Sequence, residues 1–223
     1  MDVIHLHREE FAGHVALRDV CLLPNGDLIA SGYAGPGPNY GDLVRIEHST
    51  GRLSRIECGF RSSQSLVYDK VHEQLIVSAN DGTDSLRSAS SPDGIFRVDL
   101  DDNPTRVEQG SISGNYVPLT SNEDGNIYTV GNVTDDVGQG IIEICPNGEM
   151  QQIASGYRQI LGLAVAQDGA LVVADAESDA NKGVLLKVAT DGSHGVTVLV
   201  YTQGIRPQFV TCGRDGIISV VPS

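Results

Sequence analysis

The sequence predicts an all-β chain arranged as a β-propeller, most simply one of five blades, on three observations. A strand–turn–strand pattern recurs about every 45–50 residues, a period at which each copy is one blade too small to bury its own apolar face. The clearest copies run from Val20 to Gly32, Val117 to Asn132, Leu161 to Asp175 and Phe209 to Val221. Their turns carry Asn-Gly or Asp-Gly, which suits hairpins that need positive φ. The composition agrees, because 26 glycines against 4 phenylalanines and no tryptophan favour short strands and tight turns over long helices.

Each copy divides into two hairpins. The first turns at Pro24-Asn25-Gly26, Glu123-Asp124-Gly125, Gln167-Asp168-Gly169 and Arg214-Asp215-Gly216. The second copy departs: Ser65 to Tyr68 leads through Asp69 to Glu73 into Gln74 to Ala79, with a longer turn and no glycine. The second hairpin opens on a glycine and an alternating strand, at Gly41, Gly94, Gly140 and Gly183. Charges at Arg45, Arg97, Glu143 and Lys187 alternate with apolar residues there, which marks a strand wet on one face. A more polar outer strand follows in each copy. Four full copies, roughly 16–58, 59–109, 110–154 and 155–201, leave a two-strand remainder at 205–223. The alternating segment Val3 to His7 is expected to complete the fifth blade beside Ile217 to Val221, closing one domain over residues 1–223. A fragment of a larger ring is the rival reading.

The formal charge of −14, from 15 basic and 29 acidic residues, argues against nucleic acid and against an anionic membrane surface. No apolar run is long enough for a membrane span, and the N-terminus lacks the pattern of a secretory signal, so a cytoplasmic location is expected. Cys21, Cys58, Cys145 and Cys212 form no CxxC pair, which disfavours a structural zinc site and fits small buried hydrophobes.

The stretch Leu161 to Asp175 followed by Gly183 to Val188 is the strongest blade signature. It resembles the NHL and SMP-30/strictosidine synthase-like group of propellers, and virginiamycin B lyase-like propellers share the pattern. The resemblance implies a fold whose members include lactonase-like hydrolases, lyases and binding modules. Where they are enzymes it implies a divalent ion, often calcium, near the central channel on carboxylate and amide ligands.

Chemistry is expected where loops follow the second strand of each blade, since such loops gather at one end of a rigid scaffold. They offer Asn80 and Asp81, Asn132 and Asp135, and Asp175 and Asp179 as oxygen ligands for a possible calcium ion. Asx-turns explain the same residues without a metal, and no EF-hand spacing is present. Inner-strand starts carry Gln64, Tyr116, Gln159 and Gln208, and loops carry Tyr33 and Tyr40; these suit a small polar ligand. No histidine falls in an inner strand, and GxSxG, dinucleotide and P-loop signatures are absent. The leading reading is a non-catalytic module that binds a protein or small polar ligand through one loop-bearing face, with no cofactor. The alternative is a divalent-metal-dependent hydrolase or lyase of the lactonase-like kind.

Overall fold

Eighteen strands follow one another without a helix among the described residues. The computed structural model describes residues 16–33, 41–81, 94–100, 105–108, 118–131, 139–176, 182–193, 195–203, 206–213 and 215–222. The chain divides into two compact units, Met1–Gln109 and Gly110–Ser223. Among the described residues no helix is long and apolar enough to cross a membrane.

The first unit holds two four-stranded antiparallel sheets. One is β1 (Ala16–Leu22), β2 (Leu28–Tyr33), β3 (Leu43–Ile46) and β4 (Leu53–Ile56). The other is β5 (Ser62–Asp69), β6 (Gln74–Asn80), β7 (Gly94–Val98) and β8 (Thr105–Glu108). The first strand β5 packs on β1 and β2, so one sheet's inner edge lies against its predecessor. Ile29, Leu43, Leu75, Val77 and Val98 fill the space, and the rings of Phe60 and Phe96 meet at 4.9 Å and a 52° tilt.

The second unit repeats the plan with β9 (Leu119–Ser121), β10 (Ile127–Gly131), β11 (Gln139–Ile144) and β12 (Met150–Tyr157). Next come β13 (Ile160–Val165), β14 (Leu171–Ala176), β15 (Lys182–Val188) and β16 (Val196–Gln203). Strand β13 packs on β9 and on β17, and Tyr128, Val130, Ile160, Leu163, Leu171 and Val173 form the core.

The last sheet is only the hairpin of β17 (Pro207–Cys212) and β18 (Ile218–Pro222). This corrects the expectation of a closed five-bladed propeller: there are four full blades, and no sheet closure among the described residues. The physical reason lies in strand supply. Residues after β16 provide one hairpin, half of what every other sheet contains. The segment Val3 to His7, which was to complete that sheet, lies outside the described residues.

The turns form as their sequences dictate. Gly26, Gly125, Gly169 and Gly216 all take positive φ at the first hairpin of their sheets. In the glycine-free β5–β6 turn, Glu73 itself takes φ 55°, while Asp69 accepts from Val71 N at 2.9 Å and sits 2.6 Å from His72 Nδ1. The glycine before the third strand has another role. A Cβ on Gly41 would overlap the Cα of Ser62, and one on Gly183 would stand 2.5 Å from Pro207 Cδ. Each lets a sheet approach the first strand of the next at backbone distance.

Strands β1, β5, β13 and β17, each the first of its sheet, share a bulge. Arg18, Gln64 with Ser65, Leu161 and Gln208 are the residues inserted between paired neighbours. A bulge re-aims side chains and increases local twist, and these fall near the strand starts where polar residues collect.

Candidate functional site

Three carboxylates outside the expected ligand set hold the fold. Asp27 accepts from His48 N at 3.0 Å and Arg45 Nε at 2.8 Å, which lowers its pKa. Asp42 accepts from Cys58 N and Gly59 N, both at 2.8 Å, and from Arg55 Nε at 2.7 Å. Glu143, expected on a wet face, is buried and takes Tyr128 Oη at 2.9 Å, Asn126 Nδ2 at 2.9 Å and the Gln151 amide. Burial and this bond push Tyr128 up to about 12.

In the first unit, the strand start Ser62-Ser63-Gln64-Ser65 is polar and wholly buried. Ser65 Oγ and Leu66 N donate to Asp19 Oδ2 at 2.7 and 3.1 Å. Ser31 Oγ donates to the Gln64 carbonyl at 2.6 Å, and Gly32 N donates to Ser63 Oγ at 3.1 Å. Desolvation raises Asp19 above the ordinary carboxylate range despite these bonds. Every contact runs between neighbouring sheets, so this network works as a polar seam.

The second unit gathers polar groups differently. Its cluster sits where β12, β13, β14 and the approach to β17 meet. Gln159 N donates to Asp175 Oδ1 at 2.9 Å, and the Gln159 side-chain oxygen accepts from Arg206. Gln139 Oε1 accepts from Ile160 N at 2.5 Å, fixing the turn between β12 and β13. Tyr157 is 6% exposed, yet its hydroxyl has no hydrogen-bond partner among the described residues. Burial, with the charge of Asp175, pushes that phenol up to about 12. It therefore stays protonated near neutrality, a donor awaiting an acceptor. Arg206 Nε is likewise buried without a partner. A carboxylate, a guanidinium, an amide and a phenol thus share one strand-end region, a set suited to hydroxyl and carbonyl oxygens.

The sequence-derived candidates scatter. Gln159 and Asp175 belong to this cluster. Gln64 is in the bulge of β5 and half-buried Gln208 in that of β17; Tyr33 ends β2 opposite Ala16. Asn80 is buried at the end of β6 beside Asp81. Tyr40, Tyr116, Asn132, Asp135 and Asp179 lie outside the described residues. Asp175 also falls one position earlier in its strand than Asn80, counted from Leu171 opposite Val188 and Leu75 opposite Val98. Alternation places them on opposite strand faces. Among the described residues no group of three His, Cys, Asp or Glu side chains could hold a metal ion, and Asn132, Asp135 and Asp179 of the expected calcium ligands lie outside those residues.

Gln139 and the Asp19–Ser65 pair were not singled out by sequence reasoning. A signal existed for the second: four consecutive polar residues where β13 and the residue before it read Gln159-Ile160-Leu161-Gly162. Nothing marked Gln139. The cysteines are free thiols; desolvation raises Cys21 to about 11 and Cys58 to about 12, but only Cys58 is a buried small hydrophobe, the other three being partly exposed.

No family model and no curated protein matches this sequence. Among solved structures, the fold is similar to a gluconolactonase from Xanthomonas campestris, with TM-score 0.70 and 14% identity over 95% of this chain and 71% of that one. It is similar to the PQQ-bound aldose sugar dehydrogenase of Streptomyces coelicolor, with TM-score 0.68 and 16% identity over 94% and 75%. An inactive virginiamycin B lyase from Staphylococcus aureus, determined with Quinupristin, gives TM-score 0.55 and 12% identity over 97% and 86%. Identities this low establish a shared propeller fold. The likeness spans enzymes of several activities and does not single out the NHL or SMP-30 group.

Proposed function

We propose that this protein is a hydrolase or lyase acting on small polar ring substrates of the sugar-lactone kind. The observation that carries the proposal is the buried hydroxyl of Tyr157, without a partner among the described residues and near enough to Asp175 to feel its charge, two residues ahead of the Gln159 that meets Asp175 and Arg206. The fold shared with a gluconolactonase and an aldose sugar dehydrogenase supports this over a purely non-catalytic module. In hydrolysis, Arg206 and the Tyr157 hydroxyl would donate to the lactone carbonyl oxygen as it gains charge. Asp175 would accept a proton from the attacking water and return it to the ring oxygen as the C–O bond breaks, giving the open-chain hydroxy acid. A calcium ion is not fitted by the described residues, so no step passes through one.

The test is hydrolysis of gluconolactone followed by acid release, with and without chelator and added calcium. Turnover is expected, with kcat/KM falling about 100-fold in Asp175→Asn and Arg206→Ala. Calorimetric binding of the lactone without turnover would return the protein to the binding-module reading. The absence of both binding and turnover would overturn the proposal.

A further inference from the structure

We propose that the outer edge of β18 is a docking site for an extended, basic strand of a partner protein. Two observations converge there. Every other sheet has four strands, but β17 and β18 stand alone, so β18 presents backbone donors and acceptors with no strand beside them among the described residues. Next to that edge is a cleft of about 340 Å³ walled by Val172, Leu199, Cys212 and Ile218, with the Asp168–Lys187 ion pair at its end. The cleft exists because the two-stranded sheet covers only part of the β13–β16 face. A full-width neighbour would supply its third and fourth strands there.

The apolar wall continues onto exposed side chains. Val221 is 54% exposed, Leu199 40% and Val200 46%. Outer strand β16 was expected to be polar, yet Val196 to Gln203 contains no charge at all. An unpaired edge flanked by an apolar face accepts an added strand, with main-chain bonds giving affinity and alternate side chains filling the cleft.

Charge selects the partner. The chain carries −14 overall, and Asp191 and Asp215 are exposed in the turns at the same end as Asp168. Lysine or arginine on the outward face of the incoming strand complements that field. A second copy of the chain does not fit. Antiparallel pairing of two β18 edges about a twofold axis would bring both β13–β16 sheets to the same side of the joined sheet, where they overlap. Like charge opposes it as well.

The experiment uses the full chain and two synthetic octapeptides, Lys-Val-Thr-Val-Lys-Val-Thr-Val and its glutamate counterpart. Fluorescence anisotropy is expected to give micromolar binding of the lysine peptide, at least tenfold weaker binding of the glutamate peptide, and weakening from 50 to 300 mM salt. Amide exchange should slow at Ile218 to Val221 on binding. Ile218→Asp and Leu199→Asp should each weaken binding at least tenfold; should the first fail to fold, the second lies on a separate sheet and carries the test. Equal binding of both peptides without protection of β18 overturns the proposal. So does an edge already protected from exchange in the dilute, peptide-free chain, which would mean that the chain covers it itself. A dimer abolished by Ile218→Asp would assign the edge to a second copy and also overturn it.

Discussion

The seam between β5 and β1–β2 and the seam between β13 and β17 do the same job with different chemistry. The first is stitched by hydroxyls and a carboxylate: Ser65 to Asp19, Ser31 to the Gln64 carbonyl, Gly32 to Ser63. The second relies on close backbone approach, with the Cβ position of Gly162 only 2.9 Å from Val210 N and 3.1 Å from Val210 Cγ1. Its polar groups are pushed to the strand ends, where Gln159 meets Arg206. The first seam bonds most of its polar groups internally, although Ser62 Oγ is buried without a partner among the described residues, while the second moves its polar groups to its edge.

The sharpest way to break this comparison is through what the two seams share. Gly41→Ala puts a methyl into the Ser62 backbone, which cannot move aside, and should destabilise the protein by about 3 kcal/mol in urea unfolding. Gly183→Ala meets the Pro207 ring and should cost somewhat less. Little effect from either would mean that the sheets do not rely on these approaches.

Ser65→Ala tests the polar seam alone. It deprives buried Asp19 of a donor and should cost about 2 kcal/mol in the same assay. An effect below about 0.5 kcal/mol would show that the seam is held by its apolar neighbours.

A pH titration sharpens the contrast. The Asp19 carboxyl is raised in the folded state, so its contribution is complete below the unfolded value of about 3.9 and is lost as pH rises through the folded value. Asp27 is lowered, and its contribution runs the other way, disappearing as pH falls. The difference between wild type and Asp19→Asn isolates the first effect: the wild type should lose ground to the variant from about pH 4 upward. A flat difference curve would remove Asp19 from the account.

The smallest stability effect belongs to Tyr157→Phe. Deleting a buried hydroxyl without a partner should leave unfolding within about 0.5 kcal/mol of wild type, or slightly improved. Lactone turnover should fall in the same variant. A clear loss of stability would mean that the hydroxyl has a structural partner.

The strands were legible in sequence because their signals are local. Asn-Gly and Asp-Gly turns, period-2 alternation and the glycine ahead of each third strand all act within a few residues. What was not legible depends on pairing between distant residues. Glu143 looked solvated by alternation, but Tyr128, Asn126 and Gln151 converge to bury it. Asp175 and Asn80 looked equivalent until the register of β14 and β6 set them one position apart. Ring closure depended on whether one hairpin would find two more strands, which no local pattern encodes. For the site, sequence reasoning named Gln159 and Asp175 as candidates without pairing them, since their bond needs β14 placed against the residue ahead of β13.

The recurring bulge on the first strands has an evolutionary consequence. One unpaired residue separates each strand's tip from its packed remainder, so the in-and-out phase of the two parts is set independently. Substitutions ahead of the bulge change what the tip displays while the buried set keeps its facing. Such chains can vary what their strand tips display without renegotiating their interiors.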